Sequence, residues 1–192
     1  CYLLEPILHK FLLEYGHLLN VHFVMGGLLQ NVEKQEQFDA IYENWNTLKE
    51  QAHLPINPEI WKEDPIWTTF HVGMVYEIVK KIDLEKANIF LRHSRFLTFL
   101  HKQNIAKYEV LEHVLTKLDL DAKAIIEQVK SEQTLLLEEG FYTARSFGVT
   151  SYPTIILSNS DNDGAIIKGI RPYSTFTNAL KDLTKSKLLL KQ

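Results

Sequence analysis

The spacing of hydrophobic residues divides the first part of the chain into a helical and an extended segment. Apolar side chains at positions 3, 7, 8, 11 and 12 recur at helical spacing, which predicts a helix over residues 2–15 that ends at Gly16. Hydrophobic positions then alternate over residues 19–25, where strand-forming residues are common and two glycines follow. This alternation predicts a β-strand.

The middle of the chain has a helical pattern almost throughout. Apolar residues at helical spacing predict a series of helices, at about residues 38–48, 72–82, 83–102, 109–118 and 121–130. Prolines at positions 55, 58 and 65 indicate an irregular connection within this block. No strand pattern of usable length occurs here, so the block is predicted to be all-helical.

The last third of the chain combines helices with a β-hairpin. A helix is predicted over residues 134–147 and ends at Gly148. Short apolar strands are predicted over residues 154–157 and 165–168, and the turn-forming residues between them favour an antiparallel pair. A final helix is predicted from Tyr173 to Leu190, directly after a proline.

Composition excludes several classes of function. The 192 residues carry a formal net charge of -3, which gives no reason to expect a nucleic-acid partner. The longest apolar run, residues 18–29, is interrupted by polar residues and is shorter than the roughly 20 residues that cross a bilayer, so no membrane span is predicted. Glu109 and His113 share a helix face, but they have no further ligands nearby in sequence, and neither a metal nor another cofactor is predicted.

The single cysteine, Cys1, opens the sequence Cys-Tyr-Leu-Leu-Glu-Pro, in which Pro6 stands five residues after it. A cysteine at the N-terminus of a helix has an unusually stable thiolate, because the helix dipole and the exposed N–H groups favour negative charge. The alternative is that Cys1 is a small buried apolar residue. Glu5, one turn later, is by itself most simply a solvated helix residue.

The second motif is Gly148-Val-Thr-Ser-Tyr-Pro153-Thr154, directly before a predicted strand. A proline in this position ordinarily only opens the strand, and only about one X-Pro bond in twenty is cis. The alternative is that this proline shapes a functional loop in front of the strand.

Together the two motifs resemble the DsbA family of thioredoxin-fold proteins, in the branch described as predicted protein-disulfide isomerases and related to the FrnE-like and YjbH-like proteins. The resemblance implies an α/β thioredoxin fold with a large all-helical insertion. Residues 1–34 and 131–192 then form a discontinuous thioredoxin-like domain, and residues 35–130 form the inserted helical domain. The element order agrees if the first strand and the first motif cysteine lie upstream of residue 1.

The resemblance also implies roles for individual residues. Cys1 is then the second cysteine of a Cys-x-x-Cys pair and resolves mixed disulfides, with Glu5 assisting proton movement and Pro153 shaping the peptide site. The resemblance implies that the Tyr152–Pro153 bond is cis and turns the backbone of Tyr152 towards an extended substrate peptide, which pairs with it as a short β-strand. Tyr2, Tyr152 and Thr154 are implied to contact the substrate.

Three functions follow as expectations. The first is a dithiol-disulfide oxidoreductase or isomerase that acts on cysteines of proteins or peptides, with a thiol reductant as a further partner, in the cytoplasm. The second is an adaptor without redox activity that uses the same fold to hold a partner protein, as in protease adaptors. The third is a kappa-type glutathione-dependent transferase or isomerase, in which serine replaces the first cysteine.

Overall fold

The computed structural model describes residues 1–161 and 163–189. In that part of the chain, three short 3₁₀ helices span Tyr2–Leu4, Gly16–Leu18 and Gln133–Leu137. The α-helices are α1 (Glu5–Tyr15), α2 (Gln35–Gln51), α3 (Ile60–Glu63), α4 (Phe70–Ile82), α5 (Leu84–His101), α6 (Tyr108–Lys117), α7 (Ala122–Glu132), α8 (Glu138–Ser146) and α9 (Tyr173–Leu189), and the strands are β1 (Thr154–Ser158) and β2 (Gly164–Lys168).

The chain divides into two compact units. Unit 1 contains residues 1–23 and the described residues from Ala144 onward, and unit 2 contains Val24–Thr143. The sequence predicts domain boundaries at 34/35 and 130/131 instead, and that division stays a prediction about domains. Residues 35–130 contain no strand, since every element they form is helical.

Unit 1 is built on a β-hairpin packed against two helices. The strands β1 and β2 pair antiparallel, in a register that sets Thr154 opposite Lys168 and Ser158 opposite Gly164. Leu4, Phe11, Ile167 and Phe176 form its buried core, so the start of the chain, α1, β2 and α9 share one hydrophobic cluster. Burial of these large apolar side chains is the main stabilising contribution to the unit.

Unit 2 is organised around α4, whose residues from Phe70 to Val79 are buried apart from His71. Its neighbours in the packing are α5, α7 and the 3₁₀ helix Gln133–Leu137. Because α4 is surrounded in this way, its sequence is apolar on nearly every face rather than on one stripe. The side chain of Asp83 caps α5 by accepting from the Lys86 N–H at 3.0 Å, which satisfies one of the helix's open donors.

The predicted strand over residues 19–25 is wrong. The backbone turns extended at Leu19, but residues 19–25 are assigned no strand, and the sheet of the described residues contains β1 and β2. Extended backbone becomes a strand only when a neighbouring strand accepts and donates its ladder hydrogen bonds. The alternation of hydrophobic residues indicates which side chains are shielded from water, but it does not indicate whether a neighbouring strand is present.

Two other predictions need correction at their ends. The helix predicted over 134–147 starts as a 3₁₀ turn and becomes α-helical only at Glu138. Gln133, with a positive φ of 51°, ends α7. The short helix α3, inside the connection predicted to be irregular, was not predicted. The predicted helix end at Leu190 and position 162 of the predicted turn lie outside the described residues.

Candidate functional site

Cys1 lies at the beginning of the first helical segment and is exposed. Its carbonyl oxygen accepts the Leu4 N–H at 3.1 Å, so the helical hydrogen bonding starts at Cys1 itself. The 3₁₀ turn Tyr2–Leu4 continues directly into α1, with the Glu5 N–H donating to the Tyr2 carbonyl and Pro6 near the start of the α-helix. Cys1 therefore occupies the N-terminal end of the helical segment, where the helix dipole favours negative charge.

Tyr2 and Glu5 lie at the start of this helical segment. Only 7% of Tyr2 is exposed, and burial raises the pKa of its phenol, with the nearby Glu5 carboxylate adding to the shift. Burial fixes Tyr2 as a packing residue of the helix start, and its role in substrate binding stays a prediction. Glu5 is half-buried in the first turn of α1, where a carboxylate interacts favourably with the helix dipole.

The loop before β1 begins with a well-defined helix end. The Gly148 N–H donates to the Arg145 carbonyl at 2.9 Å and the Val149 N–H donates to the Ala144 carbonyl at 2.9 Å, with Gly148 at a φ of 63°. These two bonds make a Schellman motif, which needs a residue that tolerates the left-handed region. Gly148 therefore ends α8 as predicted and directs the chain into the loop.

The second half of the loop is held by hydrogen bonds on both sides of Pro153. The Thr154 hydroxyl donates to the Ser151 carbonyl at 2.6 Å, and the Gly169 N–H donates to the Pro153 carbonyl at 2.8 Å. The Tyr152–Pro153 peptide bond is cis, the configuration that the sequence motif predicts. Tyr152, Pro153 and Thr154 are all half-buried, so each keeps surface that a binding partner can reach.

The hydrophobic core of unit 1 joins the two motifs. Leu4, three residues after Cys1, belongs to the same cluster as Ile155, two residues after Pro153. The helix that Cys1 begins and the strand that Pro153 precedes are therefore packed on one core. Aromatic contacts extend this core, with ring centroids of Phe11 and Phe176 5.8 Å apart.

The described residues do not offer a metal centre or a membrane span. No group of three or more histidine, cysteine, aspartate or glutamate side chains is placed to hold an ion in that part of the chain. No helix within the described residues is both long and apolar enough to cross a bilayer.

A concave region within unit 2 is lined by residues that the sequence did not single out. His71, Tyr108 and Lys130 line a cavity there of about 320 Å³. These residues are separated by tens of positions along the chain, so no local motif connects them. The one local signal is His71, the position between Phe70 and Val79 that is not fully buried.

Comparison with known proteins assigns the fold. The family model described as thioredoxin matches residues 1–178 of the chain. Two solved structures are similar over nearly the whole chain: a proposed protein disulfide isomerase from Nitrosomonas europaea, with a TM-score of 0.77, 19% identity and coverage of 100% of this chain and 93% of that one, and the cytosolic disulfide reductase DsbM from Pseudomonas aeruginosa, with a TM-score of 0.74, 14% identity and coverage of 98% and 93%. These likenesses confirm the predicted fold, a thioredoxin fold with a helical insertion.

A relative found by sequence is described as an adapter protein and not as a disulfide isomerase or reductase. The ClpXP adapter protein SpxH of Halalkalibacterium halodurans is 25% identical over 193 residues, which cover 95% of this chain. The chain spans 63% of that protein's length.

Proposed function

Because the chain belongs to the thioredoxin family, we propose that it carries out thiol-disulfide exchange with cysteines of proteins or peptides. The observation that carries the proposal is the exposed thiol of Cys1 at a helix N-terminus, on the same core as the Tyr152-Pro153-Thr154 loop. Two of the structurally similar proteins are described as a disulfide isomerase and a disulfide reductase, which supports this choice.

The chemistry needs one thiolate and one disulfide at a time. The sulfur anion of Cys1 attacks one sulfur of a disulfide, a new bond forms to that sulfur, the old S–S bond breaks, and the departing thiolate takes the electron pair and a proton. In the resolving role predicted for Cys1, the attacked disulfide is the mixed one between substrate and a first motif cysteine, and the substrate leaves reduced. Glu5 is proposed to move the proton, and a thiol reductant restores the reduced pair.

The loop provides the peptide specificity in this proposal. An extended peptide chain that pairs with the backbone at Tyr152 presents its cysteine to the thiol, and the ring of Tyr152 covers one side of the peptide. We also propose a cytoplasmic location, which the description of the P. aeruginosa reductase as cytosolic supports.

The test compares exchange on a peptide disulfide with exchange on glutathione disulfide, both followed by mass spectrometry of the intact protein. Since Cys1 is the chain's only cysteine, every adduct is assigned to it. We expect Tyr152→Ala to slow adduct formation with the peptide by about tenfold, the effect of losing roughly 1.4 kcal/mol of interaction, and to leave the glutathione rate unchanged. Tyr152→Phe should keep the peptide rate, because the ring remains.

The control is Cys1→Ser, which leaves residues 1–192 without a thiol and should therefore form no adduct with either disulfide. The proposal is wrong if Cys1 in the folded chain reacts no faster with the peptide disulfide than it does after denaturation in urea. The assignment of peptide specificity to the loop is wrong if Tyr152→Ala slows the peptide and glutathione reactions equally.

A second candidate is an adaptor that holds a partner protein for a ClpXP-type protease, and the sequence relationship to the H. halodurans adapter favours it. The same variants separate it from the first proposal. An adaptor should bind its partner with equal affinity as wild type and as Cys1→Ser, whereas an exchange enzyme loses its activity in that variant.

A further inference from the structure

The cavity in unit 2 has the size and construction of a small-ligand site. Its volume is about 320 Å³, at the lower end of the range for ligand pockets. It is lined from α4, the start of α6, the end of α7 and the segment at residues 30–31, all within Val24–Thr143. The cavity is therefore a feature of unit 2 alone.

A buried network holds one wall of the cavity in place. Asn104, of which 1% is exposed, donates to the carbonyls of Asp64 and Pro65 at 3.2 and 3.1 Å and accepts the Ala106 N–H at 2.9 Å. The Ala106 carbonyl in turn lies 2.6 Å from Nδ1 of His71. Because a carbonyl oxygen only accepts, Nδ1 carries the proton, and the orientation of the imidazole is fixed.

His71 and Tyr108 form the polar face of this wall. Nε2 of His71 lies 3.3 Å from the Tyr108 hydroxyl, which donates to it in the neutral ring, and the two rings stack with centroids 4.5 Å apart. Burial raises the pKa of Tyr108, an effect that the Lys130 charge opposes. The phenol thus stays protonated and donating over the physiological range.

Lys130 contributes a cationic side chain to the cavity lining. The Lys130 ammonium lies 5.3 Å from the centroid of the Tyr108 ring, at the mouth of the cavity. Its acidic neighbour Glu127 is 3.6 Å away, but both side chains are exposed, and such a pair contributes little. Within the described residues, the cavity lining contains neither aspartate nor glutamate.

Further donors surround the mouth. The side chains of Gln30, Asn31, Gln133 and Thr134 line the cavity and, within residues 1–161 and 163–189, make no hydrogen bond to another protein group. Of the four non-glycine residues with positive φ in the described chain, two are Asn31 and Gln133. Unfavourable backbone of this kind tends to concentrate at ligand-binding positions.

The floor of the cavity is apolar. Phe70, Met74 and Val129 line it and are 8%, 4% and 0% exposed. A ligand that fills the space consequently meets hydrophobic side chains at one end and a cation with amide and hydroxyl donors at the other.

From these observations we propose that the cavity binds a small organic anion, a carboxylate or a phosphate monoester, with an apolar body. The apolar part lies on Phe70, Met74 and Val129, and the anionic group lies at the mouth, where Lys130 supplies the charge and the amide side chains donate hydrogen bonds. The proposal does not rest on the thiol chemistry proposed for unit 1.

The test is a titration of the ¹⁵N-labelled full chain with benzoate, phenyl phosphate and benzamide, followed by ¹H-¹⁵N correlation spectra. Benzamide is the neutral analogue of benzoate with nearly the same shape. We expect an anion to shift the amides of residues 30–31 and 129–134, and benzamide at the same concentration to leave them in place. The relative affinities of benzoate and phenyl phosphate decide between a carboxylate and a phosphate ligand.

Two variants connect binding to the proposed contacts. Lys130→Gln should weaken binding of the preferred anion by about tenfold or more, since a charge-assisted hydrogen bond is lost. Asn31→Asp, which keeps a residue tolerant of positive φ but adds a negative charge, should weaken it as well. Lys123→Gln, an exposed position on the same helix, is the matched control and should bind as wild type does.

The proposal is overturned if neither anion shifts these amides in the millimolar range, if benzamide binds as well as benzoate, or if Lys130→Gln binds the anion as tightly as Lys123→Gln.

Discussion

Tyr76 is the largest fully buried side chain in the middle of α4, and it makes stability depend on alkaline pH. Burial raises the pKa of Tyr76 to about 12, the Glu77 carboxylate adds to the shift, and Arg95 opposes it. Its hydroxyl donates to Asn88 at 3.4 Å. In the unfolded chain a tyrosine releases its proton near pH 10. Between about pH 10 and 12 the folded chain therefore binds more protons than the unfolded chain.

The sign of the effect follows from that difference. Stability from this group is fully present below about pH 10 and is lost as the pH rises towards 12. We expect the free energy of unfolding of Tyr76→Phe to decline less than that of wild type over this window, as measured by urea denaturation at a series of pH values. Tyr142→Phe, at a position that is 70% exposed, controls for removal of a phenolic hydroxyl in general. Wild type and Tyr76→Phe declining in parallel from pH 10 to 12 would contradict the prediction.

At the scale of single residues, the sequence offered candidates for a thiol site but none for the cavity. Cys1 and Pro153 belong to short motifs, so the resemblance could be recognised from a few neighbouring letters. The lining of the cavity comes from segments spread over residues 30–134, and only tertiary packing brings these segments together. His71 was not noticed because a lone histidine on a buried helix is more often a packing residue than a ligand-binding one.

At the scale of elements, α8 depends on a glycine that lets another backbone approach. A Cβ added at Gly140 would lie 2.7 Å from the carbonyl oxygen of Met25, and a backbone atom cannot move aside as a side-chain end can. We expect Gly140→Ala to lower the free energy of unfolding by about 1–3 kcal/mol, the usual cost of overpacking. Chemical denaturation measures this directly.

The matched substitution is Gly16→Ala. Gly16 has a φ of -58° and its nearest neighbour would be the Leu12 Cβ at 3.8 Å, so alanine fits without strain. It should be neutral or stabilising by up to about 1 kcal/mol, because alanine restricts the unfolded chain. If Gly140→Ala and Gly16→Ala have the same free energy of unfolding, the close approach of the Met25 carbonyl is not the reason for glycine at position 140.

The long helices were predictable and the isolated extended segment was not. A 3.6-residue period repeated over several turns places α4, α5, α6 and α7 to within a few residues, because burial of one face or more leaves a regular pattern. Helix α3 has four residues, too few for a period to show. Residues 19–25 show that alternation alone does not specify a strand, because the hydrogen-bonding partner is not encoded in the segment itself.

At the scale of the whole molecule, each compact unit has its own buried core. Phe176 is fully buried in the core of unit 1, and Phe90 is fully buried in unit 2. In Phe176→Ala, the lost burial and the cavity left behind should cost about 3–5 kcal/mol, and Phe90→Ala should cost a similar amount. The two variants are expected to differ in which elements lose their protection from amide exchange.

We expect each substitution to act mainly within its own unit, because local opening depends on the contacts that an element makes nearby. Hydrogen-deuterium exchange resolved by peptide should show faster exchange in α1 and α9 for Phe176→Ala, with α4 and α7 still protected, and the reverse for Phe90→Ala. Each variant serves as the control for the other, because both remove a phenyl ring from a fully buried site. The prediction is wrong if exchange rises uniformly in both units, whichever phenylalanine is removed. The chain would then open as one cooperative structure, and the two units would describe its geometry but not its stability.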